Sequence, residues 1–205
     1  VDSGELGNAI MIDMRLALME PTDLRGYPFR NPENNTMEWA PAADLPTQEM
    51  ADKYDTIVLF LDELNSAPPS VQAAAYQLVL NSKIGQYQLP SNVRIVAAGN
   101  RETDRGVTFR MPSPLANRFR HINMDVNFED WQQWAILNDV HPDVIGYLSF
   151  AKQDLFNFDP KTSSQAFATP RSWVFTSDIL KVDGFETAPA REQKAEIAGA
   201  IGEGM

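Results

Sequence analysis

Two acidic residues follow the most apolar stretch of the chain. Residues 57–61 (IVLFL) lead directly into Asp62 and Glu63. A continuous run of β-branched and apolar residues predicts a strand that is buried on both faces, as in a parallel sheet. Open α/β folds bind ligands at the carboxyl edge of such a sheet. In a nucleotide hydrolase, Asp62 would hold a hydrated Mg²⁺ and Glu63 would orient the attacking water, whereas the simpler alternative is an acidic turn.

Three other polar side chains lie where they could serve the same chemistry. Asn100 follows a second apolar run, residues 93–98, and a neighbouring parallel strand would bring it beside the acids to hydrogen-bond a water or a phosphate. Arg118 carries a guanidinium that forks onto phosphate oxygens and stabilises transition-state charge. Arg171 lies in the first turn of a predicted helix, where a cation opposes the helix dipole, which favours a role outside that helix. The structural alternatives are an amide in a turn for Asn100, a solvated charge at a helix end for Arg118 and an ion pair with a nearby acid for Arg171.

The elements that position these residues follow the order of a doubly wound α/β fold. A strand at 56–61 is followed by a helix, with apolar residues at helical spacing over 71–79, and then by a strand at 93–98. Upstream, residues 9–18 predict a strand that leads into a loop. Residues 20–50 are rich in Pro, Asn and acidic residues, which predicts mostly loop.

The character of the sequence changes near residue 125. Beyond it, only helical patterns occur, over residues 128–139, 142–156, 170–181 and 190–201. We therefore predict two parts, an α/β part at 1–125 and a smaller helical part at 126–205. Between the last strand and Arg118, residues 101–112 predict a loop close to the same edge of the sheet.

Composition excludes several classes of function. The 205 residues include 17 Lys and Arg against 28 Asp and Glu, a net charge of −11, which argues against a nucleic-acid-binding surface. The absence of cysteine excludes disulfides and thiolate metal sites. The longest apolar run is too short to span a bilayer, and Val1 does not open a signal peptide. We expect a cytoplasmic protein whose partners are proteins.

Taken in order, the motifs resemble those of AAA+ ATPases, and most closely those of the MoxR group and its dynein-related relatives. The likeness covers roughly residues 10–180 and consists of DLRG at 23–26, LFLDELNSAPP at 59–69, AAGN at 97–100, LANRF at 115–119 and TPR at 169–171. It implies a parallel-sheet P-loop NTPase core followed by a small helical lid, with ATP and Mg²⁺ as cofactors. It also implies a ring, normally a hexamer, that remodels protein partners, often beside a protein with a von Willebrand factor A domain.

The resemblance assigns roles to the residues of the α/β part. Asp62 and Glu63 match the Walker B pair, for Mg²⁺ and for the catalytic water respectively. Asn100 matches sensor 1. Arg118 matches the arginine finger, which in this family acts on ATP held by the neighbouring subunit, and Arg120 is a less favoured substitute. In the helical part, Arg171 matches sensor 2, which reaches ATP from the lid.

One motif of the family is absent from the sequence. No GxxxxGK[ST] loop occurs, and no Lys directly follows a Gly anywhere in the chain. That loop supplies the backbone N–H groups, the Lys and the hydroxyl that hold phosphates and Mg²⁺. One explanation is an N-terminally incomplete chain, and the other is a degenerate interaction module that does not hydrolyse ATP. The retained polar set favours the first. A DNA motor on the same fold is a weaker third hypothesis, because the chain is acidic.

Overall fold

Two units make up the part of the chain that the structure, a computed structural model, describes: residues 7–101, 108–158 and 166–203. The division falls between His121 and Ile122, whereas the sequence places it after residue 125. Residues 102–107, half of the loop predicted at 101–112, lie outside the described residues, which resume at Thr108.

The first unit has a mixed α/β architecture. Its elements are β1 (Ala9–Arg15), a 3₁₀ turn (Leu16–Leu18), α1 (Pro21–Arg25), β2 (Tyr27–Asn31), β3 (Thr36–Ala40), α2 (Gln48–Lys53), β4 (Thr56–Asp62), α3 (Pro69–Asn81), β5 (Lys83–Ile84), β6 (Tyr87–Gln88), β7 (Val93–Ala97) and α4 (Ser113–Ala116). Strands β1, β4 and β7 form a parallel sheet with β4 in the middle. The predicted α/β class with a parallel sheet is confirmed.

One face of this sheet carries the core of the unit. On this face the residues of the middle strand pair only with apolar neighbours: Leu59, for example, pairs with Ile12 of β1 and with Ile95 of β7. Helix α3 supplies buried side chains to the same core, namely Val71, Ala74, Ala75 and Leu78. The helix begins at Pro69, where a missing N–H costs no intrahelical hydrogen bond.

The opposite face of the sheet is only partly covered. Val58 and Phe60 of β4 are half-buried, while Met11 of β1 is 62% exposed and Val96 of β7 is 47% exposed. The expectation that the middle strand is buried on both faces therefore holds for one face only. A continuous apolar run predicts that a strand is central, but it does not reveal how fully each face is covered.

The prediction that residues 20–50 are mostly loop is wrong. This segment forms α1, the antiparallel hairpin of β2 and β3, and α2. Asn31 at the end of β2 and Asn34 in the hairpin turn donate hydrogen bonds to Glu38 Oε1 over 2.7 and 3.0 Å. These bonds lower the pKa of the Glu38 carboxyl below its ordinary value. Here Pro21 begins a helix and the asparagines shape a turn between short elements, so composition that is typical of loops was misleading.

The second unit is built from helices. They are α5 (Phe128–Leu137), α6 (Pro142–Phe150), α7 (Pro170–Leu180) and α8 (Ala190–Ile201), with 3₁₀ turns at Lys152–Leu155 and Phe185–Thr187. Four helices were predicted, and the second ends earlier than expected because Ala151 leaves the helical conformation. Trp173 Nε1 donates a hydrogen bond to the Asp154 carbonyl oxygen over 2.8 Å, which ties α7 to the turn after α6. No helix in the described ranges is long and apolar enough to cross a membrane.

We predict that Leu59→Ala lowers the free energy of unfolding by about 2–5 kcal/mol, because Leu59 is fully buried at the centre of the sheet. Val96→Ala on the open face should cost about 1 kcal/mol or less, since that side chain is already half in water. Denaturant titration followed by circular dichroism measures both changes. Equal losses for the two variants would contradict the core described above.

Candidate functional site

The carboxyl end of β4 places Asp62 at the edge of the sheet. Asp62 is the last residue of the strand, it pairs in register with Arg15 of β1, and its side chain is 31% exposed. Arg15 Nε lies 4.0 Å from Asp62 Oδ2, a long contact, and the arginine side chain is 63% exposed. Water screens such a pair strongly, so the carboxylate stays available to a ligand.

Glu63 turns the chain away from the sheet. Its φ is +54°, in the left-handed region that residues other than glycine seldom adopt and that recurs at functional sites. Its backbone N–H donates to Asp62 Oδ1 over 2.9 Å. Its carbonyl oxygen accepts the N–H groups of Ser66 and Ala67 over 2.9 and 3.1 Å. The backbone of the acid pair is thus fixed in a tight turn directly after the strand.

The segment after β7 stays joined to this turn beyond the last residue of the strand. The Ala98 N–H donates to the Leu61 carbonyl oxygen, and the Leu64 N–H donates to the Ala98 carbonyl oxygen, each over 3.0 Å. These two bonds continue the pairing of β4 with β7. They bring Asn100 to the turn that carries Asp62 and Glu63, as the sequence predicted from neighbouring parallel strands.

Asn65 makes the closest link between the two segments, and it was not predicted as a site residue. Its Oδ1 accepts the Asn100 N–H over 3.0 Å, and its Nδ2 donates to the Asn100 carbonyl oxygen over 2.5 Å. The Asn100 side-chain Nδ2 lies 3.5 Å from Ser66 Oγ. A Cβ on Gly99 would overlap the Asn65 carboxamide, so only glycine allows this approach. Two features of the sequence could have pointed to Asn65: its amide side chain lies two residues after Glu63, and a Gly-Asn pair occurs at 99–100.

A groove of about 940 Å³ lies beside Asn65. Its lining consists of Asn65, Arg110, Met111, Ser113, Pro114, Ala116, Asn117, Phe119 and His121. Amides, a guanidinium and an imidazole give it several hydrogen-bonding groups. Asp62 and Glu63 are not among these lining residues, so the groove adjoins the acid turn without containing it.

The predicted arginines lie in different units. Arg118 follows α4, its N–H donates to the Leu115 carbonyl oxygen over 3.0 Å, and its side chain is exposed, as is that of Arg120. Arg171 is the second residue of α7 in the helical unit, and its side chain is exposed. The helix start is fixed by a capping box between Thr169 and Ser172. The structure thus brings Asp62, Glu63 and Asn100 to one edge, while the roles of the arginines stay predictions.

The acid edge fits a hydrated magnesium ion. Asp62 offers a half-buried carboxylate at the end of a rigid strand, and neither of its contacts, the Glu63 N–H and the long pair with Arg15, uses all of its lone pairs. Magnesium keeps several of its waters and is bound through one or two carboxylates together with substrate phosphates. The loop that would hold the phosphates is absent from the sequence, which has no Gly-Lys pair, so the fit concerns the metal alone.

No protein-family model and no curated protein sequence matches the chain. Among solved structures it is similar to a predicted ATPase from Cytophaga hutchinsonii, at 16% identity over 66% of this chain and 39% of that one, with a TM-score of 0.41. It is also similar to NtrX from Brucella abortus, at 14% identity over 90% of this chain and 48% of NtrX, with a TM-score of 0.43. The same protein in complex with ATP aligns at 12% identity over 94% of this chain and 50% of NtrX, with a TM-score of 0.43.

The chain thus spans half or less of the length of these three structures. Likenesses with such low scores and identities do not assign functional residues. The α/β class rests on the sheet itself, and the candidate site rests on the hydrogen bonds that join the β4 turn to Asn100.

We predict that Gly99→Ala lowers the free energy of unfolding by about 1–3 kcal/mol, because the new methyl group displaces the Asn65 carboxamide from both of its hydrogen bonds. Gly146→Ala is the matched control. Gly146 lies within α6 with open space around it, so alanine there should raise stability by about 0.5–1 kcal/mol. Denaturant titrations of both variants test this, and an unchanged stability of Gly99→Ala would contradict the close approach.

Proposed function

We propose that this chain is part of a Mg²⁺-dependent AAA+ ATPase of the MoxR type, which hydrolyses ATP at the edge formed by Asp62, Glu63 and Asn100. The observation that carries this proposal is the joint placement of the acid turn after β4 and the amide after β7 in one hydrogen-bonded arrangement. The order of motifs along the sequence supports it, since the same residue types occupy the matching positions of that family.

Each residue of the edge has a chemical task in this proposal. Asp62 holds the metal through water, and Glu63 accepts a hydrogen bond from the attacking water and orients it towards the phosphorus. Asn100 donates a hydrogen bond to that water or to the terminal phosphate. Magnesium, when bound, neutralises charge that develops on the phosphate oxygens. Hydrolysis then depends on positioning and electrostatics, which suits residues held by backbone hydrogen bonds.

The arginines complete the proposal at the level of the assembly. Arg118 would act as a finger on ATP held by the neighbouring subunit of a ring, normally a hexamer, and Arg171 would reach ATP from the helical lid. The ring would remodel a protein partner in the cytoplasm, alone or beside a protein with a von Willebrand factor A domain. The net charge of −11 favours protein over nucleic acid as that partner.

Because the phosphate loop is missing from this sequence, a second function is also considered, that of an interaction module. A degenerate AAA+ module would bind partners without hydrolysing ATP. The retention of a complete polar set favours hydrolysis, because an interaction module has no mechanical need for it. This set consists of Asp62, Glu63, Asn100, Arg118 and Arg171. ATP turnover and ATP binding by the full-length protein that carries these residues distinguish the two functions.

We predict that Glu63→Gln lowers ATP turnover by about 100-fold or more, because the amide no longer orients and polarises the attacking water. Binding of a non-hydrolysable ATP analogue should be retained. Glu49→Gln, an exposed carboxylate on α2, is the matched control and should leave turnover unchanged. Turnover near that of the wild type in Glu63→Gln would refute the assignment, and failure of the wild type to bind the analogue would favour the interaction module.

We predict that Arg118→Ala abolishes turnover and leaves analogue binding intact, because the guanidinium is required only for transition-state charge. Mixing Arg118→Ala with Glu63→Gln subunits should restore part of the activity. Where the Arg118→Ala subunit holds ATP and the Glu63→Gln subunit supplies the finger, an intact acid edge meets an intact guanidinium. Arg120→Ala should behave like the wild type. Loss of activity in Arg120→Ala with retention in Arg118→Ala would move the finger to residue 120.

A further inference from the structure

Asn65 holds the backbone of Asn100 on both sides of its Cα atom. The Asn100 N–H belongs to the peptide group that precedes Cα, and the Asn100 carbonyl belongs to the peptide group that follows it. Asn65 accepts from the first over 3.0 Å and donates to the second over 2.5 Å. Two bonds that fix both flanking peptide groups fix φ and ψ of Asn100, and with them the direction in which its Cβ leaves the backbone.

This restraint acts where the sheet no longer holds the chain. Strand β7 ends at Ala97, and the last backbone bonds to the β4 side are made by Ala98. The next residue is Gly99, which has the greatest backbone freedom of any residue type. Asn100 itself is exposed, so packing does not set its conformation. A side-chain restraint on the two peptide groups of Asn100 therefore takes the place of strand pairing.

Asn65 is itself anchored at both ends of its turn. The Glu63 carbonyl oxygen accepts the N–H groups of the two residues that follow Asn65, and the Asn65 carbonyl oxygen accepts the Phe109 N–H over 2.7 Å. The residue is half-buried. The backbone that carries this carboxamide is therefore fixed. Asn65 thus holds Asn100 in a fixed position relative to the turn that carries Asp62 and Glu63.

We propose that Asn65 is a positioning residue, which sets the Asn100 side chain relative to the two acids and touches no reacting atom itself. This inference rests on the proposed ATP hydrolysis. Removing the Asn65 side chain should leave ATP affinity intact and lower kcat, because the Asn100 side-chain amide is then displaced from the terminal phosphate. A misplacement of about 1 Å near the reacting atoms can cost about 100-fold in rate, so we expect a loss of about 10- to 100-fold.

The test compares Asn65→Ala with Asn92→Ala in the full-length protein. Asn92 is a matched control because its Nδ2 also donates to backbone carbonyls, those of Ala51 and Tyr54, at the opposite end of the same sheet. Asn65→Ala should lower kcat with an unchanged KM for ATP, whereas Asn92→Ala should keep kcat. Equal effects of the two variants on kcat would show a merely structural role and overturn the proposal.

A double-mutant cycle shows whether Asn65 acts through Asn100. If it does, Asn65→Ala made in the Asn100→Ala background should lower kcat by less than about 3-fold beyond Asn100→Ala alone, since nothing remains to be positioned. Multiplication of the two single losses would overturn the proposal. Hydrogen exchange adds a readout that needs no turnover: the Asn100 amide should exchange about 5-fold faster or more in Asn65→Ala and at the wild-type rate in Asn92→Ala.

The outcomes separate this inference from the function on which it rests. Loss of turnover in Glu63→Gln with a normal kcat in Asn65→Ala would overturn the role of Asn65 and leave the ATPase proposal standing. If the wild-type protein shows no ATP turnover and the Asn100 amide still exchanges faster in Asn65→Ala, the catalytic role falls and the backbone restraint itself stands.

Discussion

Strand β4 is hydrogen-bonded along both of its edges and carries only apolar side chains over residues 57–61, so its polar groups come at its carboxyl end. That constraint organises the first unit. Because β1 and β7 run parallel to β4, all three carboxyl ends meet at one edge of the sheet. Asp62 closes the central strand at that edge, with Arg15 beside it in register. The apolar rows behind them keep the edge in place, and the chemistry proposed for it depends on that rigidity.

The polar edge is continued by side-chain and backbone hydrogen bonds after the sheet has ended. Glu63 adopts a left-handed conformation, which turns the chain. Two residues later, the Asn65 side chain makes hydrogen bonds to the backbone N–H and carbonyl of Asn100. Gly99 permits that contact because any larger residue would fill the space of the carboxamide. Two acids from one strand and an amide from the next are thereby kept in one arrangement, which is the property that a positioning mechanism of phosphoryl transfer requires.

Much of this arrangement could be predicted from the sequence, because it follows from strand order. The run at 57–61 predicts the central strand, and the ends of neighbouring parallel strands predict that Asn100 lies at the same edge of the sheet as Asp62. Asn65 could not be inferred in the same way, since its role depends on the left-handed turn at Glu63 and on a close backbone approach. The hairpin of β2 and β3 was missed for a different reason. Its asparagines, such as Asn34, hold the turn through hydrogen bonds to Glu38, a specific side-chain pairing that composition does not show.

The most direct measurement of the central claim is a crystal structure of the full-length Glu63→Gln protein with Mg²⁺ and ATP. We expect that a metal-bound water contacts the Asp62 carboxylate and that the Asn100 side-chain amide lies about 3 Å from the terminal phosphate or the attacking water. The Asn65 carboxamide should still pair with the Asn100 backbone. ATP bound away from this edge, with Asp62 and Asn100 making no contact to its phosphates, metal or waters, would contradict the proposed site.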